Sequence, residues 1–182
     1  MNVVLIGFMG VGKTSVGKKC AERLKWSLFD TDTLIEEACS MTVPEIFAQH
    51  GEAWFREMEK TIVERVTKRQ ECVIATGGGV VLDRENVDRL RQNGLLIHLT
   101  MSPEVIFHRI GRHSERPLLQ TENPRLTLES LFRSRERLYR ACSDVTIDRT
   151  RLSVEETVEK VIETVRSYGI IEDPRGQLAR EK

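Results

Sequence analysis

Short and almost continuous apolar runs recur along the chain and alternate with segments of helical periodicity. The runs are VVLI at 3–6, SLF at 27–29, CVIA at 72–75, LLIHL at 95–99 and VTI at 145–147. Strands that are apolar throughout are typical of a parallel sheet covered on both faces, because neither face meets water. The pattern therefore predicts an α/β fold in which helices sandwich a five-stranded parallel sheet.

The segments between these runs fit amphipathic helices. One opens at the sequence TVPE, where Thr42 and Glu45 match a capping box, and Gly51 is expected to break it. Beyond Gly51 the helix is predicted to continue along a seam formed by Trp54, Met58, Ile62 and Val66. The other helices are predicted at 14–24, from 34 onward, and at 83–92, 103–110, 127–142 and 153–167.

Two segments show no helical or strand pattern. Residues 111–126 are polar, rich in arginine and contain two prolines, which predicts a long loop. Residues 169–182 lack periodicity, and we expect a mobile C-terminal tail. The chain is therefore expected to form one domain over 1–168.

Composition narrows the possible partners and location. The 182 residues contain 28 basic and 28 acidic side chains, a balance that argues against nucleic acid or an acidic membrane as the main partner. The four cysteines are widely spaced and show no metal-ligand pattern, which favours buried thiols in a reducing compartment. No apolar run is long enough to span a membrane, and a cytoplasmic protein is expected.

The first glycine-rich stretch, GFMGVGKT at 7–14, matches the phosphate-loop pattern GxxxxGK[ST] between a predicted strand and a predicted helix. In such a loop, backbone N–H groups and the helix N-terminus face phosphate oxygens. Lys13 would reach the β- and γ-phosphates, and the Thr14 hydroxyl would ligate Mg²⁺. ATP is favoured over GTP, because the chain has no NKxD motif. The predicted ATP-binding residues of the loop are Gly10, Val11, Gly12, Lys13, Thr14 and Ser15.

Two acids follow the weak second strand in FDTD at 29–32. Ligands bind at the carboxyl edge of an open α/β sheet, so Asp30 would address hydrated Mg²⁺ through water and Asp32 an acceptor hydroxyl. The alternative is that Asp32 or Thr33 simply caps the next helix.

Two arginines and a second glycine-rich stretch point to an acceptor site. Arg135 falls at the centre of the apolar stripe of the helix from 127, and Arg56 lies beside the seam of its own helix. A buried cation needs an anion, so the pair could clamp a ligand carboxylate, although an internal carboxylate is the commoner partner. The run IATGGGVV at 74–81 would present bare backbone at a strand end.

These motifs, in this order and spacing, resemble the shikimate kinase family. The resemblance is carried by GFMGVGKTS at 7–15, FDTD at 29–32, EIFAQHGEAWFREME at 45–59, IATGGGVV at 74–81, RPLL at 116–119 and SRERLYR at 134–140. It implies the P-loop NTPase fold of the nucleoside-monophosphate-kinase class, a mobile lid loop at about 111–126, and a monomer. It also implies transfer of the γ-phosphoryl of MgATP to the 3-hydroxyl of shikimate.

The same resemblance assigns roles to individual residues. It makes Asp32 the contact to the ring hydroxyls and Arg116 the lid arginine over the transferring phosphoryl group, and it puts Arg109 near the adenine. The catalytic residues implied are thus Lys13, Asp32 and Arg116, and the shikimate-binding residues are Asp32, Arg56, Gly77, Gly78, Gly79 and Arg135.

Two rival functions stay open at this point. A gluconate-type or nucleotide kinase would share the fold, and a sugar acid would also suit an arginine pair. A non-catalytic nucleotide-binding regulator would not need Lys13 or Asp32, and both residues are present.

Overall fold

The structure is a computed structural model that describes residues 1–110 and 117–172. The described chain contains five strands and seven α-helices, and each strand is followed by at least one α-helix. The strands are β1 (Asn2–Ile6), β2 (Ser27–Asp30), β3 (Cys72–Ala75), β4 (Gly94–Thr100) and β5 (Val145–Asp148). The helices are α1 (Lys13–Leu24), α2 (Thr31–Cys39), α3 (Val43–Thr67), α4 (Arg84–Gln92), α5 (Pro103–Ile110), α6 (Pro124–Cys142) and α7 (Val154–Ser167).

All strand pairs are parallel, and the sheet order is β2-β3-β1-β4-β5. Every residue of β1, β3 and β4 is buried, although neighbouring residues of a strand point to opposite faces. Helices therefore cover both faces of the central sheet. The predicted fold class is confirmed.

The parallel sheet brings the carboxyl ends of its strands to one edge. β1 occupies the centre, with β3 on one side and β4 on the other, so the segments that follow these strands meet above the sheet. Crevices at this edge are the usual ligand sites of open α/β folds. The two glycine-rich stretches follow β1 and β3 and are thus neighbours.

The α3 helix bends where the sequence predicts a break. Gly51 has φ 80° and ψ 173°, while helical geometry continues on both sides. The predicted seam holds for Ile62 and Val66, but Trp54 is 36% exposed and stacks on His50. Phe55 and Glu59 are buried instead, because each four-residue step in a helix with 3.6 residues per turn overshoots a full turn by about 40°, so Trp54 lies off the face of Ile62 and Val66.

Two helices begin earlier than the sequence pattern predicts. The α2 helix starts at Thr31, directly after β2, and Asp30 rather than Asp32 or Thr33 caps it. The α6 helix starts at Pro124, capped by the Asn123 side chain, so the predicted loop of 111–126 ends at 123. Proline in the first turn is compatible with a helix, because its missing N–H has no intrahelical partner there.

Residues beyond α7 continue to contact the domain up to the end of the described chain. The Ile170 N–H donates to the Val165 carbonyl, and Ile170 and Ile171 pack against the core. The remainder of the predicted tail, 173–182, lies outside the described residues. Among the helices that the structure describes, none is long and apolar enough to cross a membrane.

Candidate active site

The first glycine-rich loop connects β1 to α1 and has the backbone of a phosphate loop. Gly7, Gly10 and Gly12 have φ values of 144°, 77° and 85°. Residues with side chains rarely adopt these conformations, so glycine is required at these positions. Gly12 is the N-cap of α1, which places the end of the loop at a helix N-terminus, where phosphate binding is favoured.

Lys13 folds back over this loop and is only 8% exposed. Its Nζ donates to the carbonyl oxygens of Gly7 at 2.7 Å and Phe8 at 2.9 Å. The ammonium group is therefore held at the loop by backbone acceptors. A lysine at this position carries a cation that phosphate oxygens can share.

Thr14 and Asp30, the two residues predicted to address Mg²⁺, are in direct contact. The Thr14 hydroxyl donates to Asp30 Oδ2 at 2.7 Å, and Asp30 Oδ1 accepts from the N–H groups of Asp32 and Thr33 at 3.1 and 3.3 Å. Asp30 thus caps α2 with one oxygen and faces Thr14 with the other. Asp32 lies in the first turn of α2, not on an extension of β2.

The oxygen atoms of Thr14 and Asp30 fit Mg²⁺ in type. Magnesium prefers oxygen ligands and commonly keeps waters and substrate phosphates in its shell. The described residues contain no group of three or more acidic, histidine or cysteine side chains that could hold a metal by themselves. Any Mg²⁺ here would therefore depend on nucleotide phosphates for much of its coordination.

The triglycine stretch is bare because the side chains of Asp32, Glu59 and Arg56 lie against it. A Cβ at Gly77 would lie 2.5 Å from Asp32 Oδ1 and 2.8 Å from Glu59 Oε1, and one at Gly79 would collide with the Arg56 guanidinium. None of the three glycines has a positive φ. Glycine is needed here for clearance rather than for backbone conformation.

Arg56 sits between two carboxylates of its own helix. Its Nη1 is 2.8 Å from Glu59 Oε2, and its Nη2 is 2.8 Å from Glu52 Oε1. Burial disfavours the charge of Arg56, but Glu59 and Glu52 outweigh burial and raise its pKa. Internal carboxylates are therefore the partners of Arg56.

Glu59 is fully buried and was not singled out by sequence reasoning. Burial raises the pKa of Glu59, the Arg56 guanidinium opposes that rise, and the charge of Asp32 adds to it. The missed signal is an acid three residues after Arg56 on the same helix, a spacing at which side chains meet.

Arg135 differs from Arg56 in its partners. It is 5% exposed on α6, and its Nη1 donates a long hydrogen bond to the Gly78 carbonyl at 3.5 Å. Among the described residues it forms no ion pair with a carboxylate, although its charge acts to lower the pKa of nearby Glu59. The Tyr139 hydroxyl donates to the same Gly78 carbonyl. Arg135 therefore remains available to an anion.

These residues line one cleft with an empty volume of about 490 Å³, including its mouth. Asp32, Arg56, Arg135 and Gly77, Gly78 and Gly79, all predicted as acceptor contacts, are brought together here. The other lining residues are Met9, Val43, Phe47, Phe55, Glu59, Pro117 and Leu118.

The remaining predicted site residues lie around the phosphate loop or outside the description. Arg109 on α5 has its Nη1 3.9 Å from a Cβ built at Gly12, next to the loop. Ser15 is exposed in the first turn of α1. Arg116 and residues 111–115 of the predicted lid lie outside the described residues, while Pro117 and Leu118 reach the cleft.

The chain is similar in sequence to proteins of one known family. Residues 9–166 match the model of the family described as shikimate kinase. A shikimate kinase of Caldanaerobacter subterraneus is 47% identical over 161 residues, covering 88% of this chain and 94% of the relative. One from Burkholderia lata is 42% identical over 173 residues, covering 95% and 94%.

The chain belongs to the shikimate kinase family. Shikimate kinase from Acinetobacter baumannii, solved in complex with shikimate, superposes with a TM-score of 0.88 at 36% identity over 92% of this chain and 93% of that one. A gluconokinase from Sinorhizobium meliloti has a TM-score of 0.56 at 16% identity, covering 100% and 97%, and so shares the fold alone. The predicted family, enzyme class and phosphorylation of shikimate are confirmed.

Proposed function

We propose that this shikimate kinase transfers the γ-phosphoryl group of MgATP to the 3-hydroxyl of shikimate by way of the two adjoining glycine-rich loops. The phosphate loop after β1 would hold the nucleotide, and the cleft beside the triglycine stretch would hold the acceptor. The observation that carries the proposal is the buried Arg135, which faces this cleft without an ion-pair partner in the described chain. A carboxylated acceptor would supply that partner.

Within the nucleotide site, residues 10–15 would bind phosphate oxygens through backbone N–H groups and side chains. Lys13 would share its charge with the β- and γ-phosphates, and Thr14 would ligate Mg²⁺ with Asp30 behind a water. When bound, Mg²⁺ would neutralise phosphate charge as the phosphoryl group moves. Arg109 would lie near the adenine, and Arg116 in the lid would cover the transferring group.

Within the acceptor site, Arg56 and Arg135 would clamp the carboxylate from two sides. The N–H groups of Gly78 and Gly79 have no hydrogen-bond acceptor in the described part of the chain, which supports a contact to the ligand. Asp32, beside Gly77, would orient the acceptor hydroxyl, and its carboxylate would be able to accept the hydroxyl proton. Positioning and charge neutralisation would supply most of the rate enhancement.

Three broader features belong to the same proposal. The segment 111–126 would close over both substrates and exclude water, which would limit ATP hydrolysis. The enzyme would act as a cytoplasmic monomer, and neither nucleic acid nor membrane would be a partner. The balanced charge of the chain supports the absence of such partners.

ADP release tests the reaction. It would be measured from ATP with shikimate, gluconate, a nucleoside monophosphate, or no acceptor. Shikimate alone should stimulate release strongly. Equal release with gluconate or without acceptor would contradict the proposal.

The clamp is tested by R135M, which removes the cation from the cleft. We expect the KM for shikimate to rise at least about tenfold while the KM for ATP changes little, since charged hydrogen bonds contribute about 1.5–3 kcal/mol. R137M, two residues along the exposed side of α6, is the matched control. An unchanged shikimate KM in R135M would refute the clamp.

A further inference from the structure

Arg149 is a fully buried cation beside the phosphate loop, and no role follows for it from the reaction described above. It comes directly after β5 and is 1% exposed, among the largest side chains buried to this extent. Its Nη1 donates to the Val11 carbonyl at 2.6 Å. Its Nε has no hydrogen-bond partner among the described residues.

No carboxylate compensates this charge in the part of the chain that the structure describes. Burial lowers the pKa of Arg149, and the neighbouring charge that lowers it further is Arg109, a cation. Arg56, by contrast, is buried less and has two carboxylate partners. Buried charges are ordinarily paired, because desolvating an unpaired ion costs several kcal/mol. The compensating anion for Arg149 is therefore expected from a ligand.

The position of Arg149 indicates which ligand. A Cβ at Gly12 would collide with Arg149 Nη1 and would lie 3.9 Å from Arg109 Nη1. Both guanidinium groups thus flank the N-cap residue of α1, at the end of the phosphate loop. Arg149, after β5, and Arg109, on α5, thus come from different elements and lie together where phosphate is expected to bind.

We propose that Arg149 is a positioning residue for the nucleotide. Its side chain fixes the Val11–Gly12 segment of the phosphate loop. Together with Arg109, it also adds a positive potential that the phosphates of ATP or ADP neutralise. The inference deepens the nucleotide half of the proposed function and rests on it. The hydrogen bond to the Val11 carbonyl holds one side of the loop peptide. The N–H groups of the loop are then pre-organised towards phosphate.

If Arg149 only braced the phosphate loop through its hydrogen bond, with no electrostatic role, its substitution would have different effects. Removing a brace destabilises the ligand-free enzyme and affects both substrates. Removing a buried and uncompensated cation costs the ligand-free enzyme little, because relief of the buried charge offsets the lost hydrogen bond to Val11, while nucleotide binding weakens. The two roles are therefore separated by comparing the melting temperature without ligand with the affinities for ADP and shikimate.

The experiment uses the full chain with R149M and R149K, and R84M as the control, since the Arg84 side chain is 94% exposed on α4. ADP and shikimate affinities would be measured by calorimetry at low and moderate salt, together with melting temperatures. For R149M we expect ADP binding to weaken at least tenfold and to depend less on salt. Shikimate affinity should stay within twofold, and the melting temperature without ligand should change little. R149K should weaken ADP binding less, because it keeps the charge but loses the planar fork.

Unchanged ADP affinity in R149M would overturn the inference, and so would a parallel loss of stability, ADP affinity and shikimate affinity. Should R149M not fold, unchanged ADP affinity in R149K would overturn it instead. Failure of the proposed function is distinguishable, because it would appear as the absence of shikimate-stimulated ADP release in the unmodified enzyme. ADP affinity in the Arg149 variants is measured without any acceptor.

Discussion

The phosphate loop after β1 and the triglycine stretch after β3 lie side by side but use glycine for different reasons. Gly7, Gly10 and Gly12 have positive φ values and shape a backbone. Gly77 and Gly79 have ordinary backbone angles and leave room for Asp32, Glu59 and Arg56. Similar composition thus serves conformation in one loop and clearance in the other. The first loop can be recognised from its local pattern, whereas the second has meaning only with its neighbours.

The largest expected effect comes from breaking the phosphate loop at its cation. K13M should lower kcat/KM at least about a thousandfold, because the transferring phosphoryl group loses a fixed positive charge. The rate would be measured by ADP release at saturating shikimate. K18M, an exposed lysine on the same helix, is the control. Near-normal turnover in K13M would remove Lys13 from the catalytic role.

The two uses of glycine can be separated by double-mutant cycles on the free energy of unfolding. G79A should destabilise the protein by about 1–3 kcal/mol, and R56A should relieve much of this cost, since the three atoms nearest to the added Cβ belong to Arg56. G12A should stay destabilising after R149M, because φ at Gly12 is 85° and disfavours a side chain by about 1–2 kcal/mol.

A similar degree of relief in both cycles would show that the two loops do not differ in this way. The same variants should also divide by ligand. G12A is expected to weaken ADP binding, and G79A is expected to weaken shikimate binding.

A smaller effect is expected from the acids that hold Arg56 against the triglycine stretch. E59Q should lower the free energy of unfolding by about 1–2 kcal/mol, because Arg56 loses a buried carboxylate partner but is 20% exposed and keeps Glu52. E52Q should cost under about 1 kcal/mol, since the Glu52 side chain is 46% exposed and solvent screens the pair. Denaturant titration of the two variants measures the difference. Equal losses of unfolding free energy in E59Q and E52Q would mean that burial does not strengthen the contact between Glu59 and Arg56.

The last expected effect is pH-dependent and concerns His98 on β4. Its ring stacks on that of Tyr139 with 5.1 Å between the ring centroids, and the Tyr139 hydroxyl donates to the Gly78 carbonyl. A Cβ built at Gly7 would lie 3.4 Å from Cδ2 of His98. Burial lowers the pKa of His98 to about 4, with Arg140 and Lys13 contributing. His98 therefore binds a proton more readily in the unfolded chain than in the folded protein. The free energy of unfolding should fall as the pH drops from about 6.5 to 4.

The expected slope from His98 is at most about 1.4 kcal/mol per pH unit. H98N should show a shallower loss of unfolding free energy across this window, measured by denaturant titration at several pH values. A slope as steep as that of the unmodified protein would assign the acid sensitivity to other groups.

The sequence by itself determined the sheet, the phosphate loop and the family. The five apolar runs became the five strands, and burial of both faces imposes continuous hydrophobicity on the three central ones, β1, β3 and β4. The loop was predictable because its glycines, Lys13 and Thr14 act through local backbone geometry. Even the capping box at Thr42 and Glu45 is a local signal, and it is present in the structure.

Only the tertiary structure decided which partners the buried charges have. Arg56 and Arg135 look alike in sequence, yet one is paired with Glu59 and Glu52 and the other faces the cleft. Arg149 has no periodic or motif signal, and its place beside Gly12 depends on β5 and the phosphate loop meeting from opposite ends of the chain. Such pairings are long-range, and electrostatic compensation depends on distance and burial, which a local pattern does not specify.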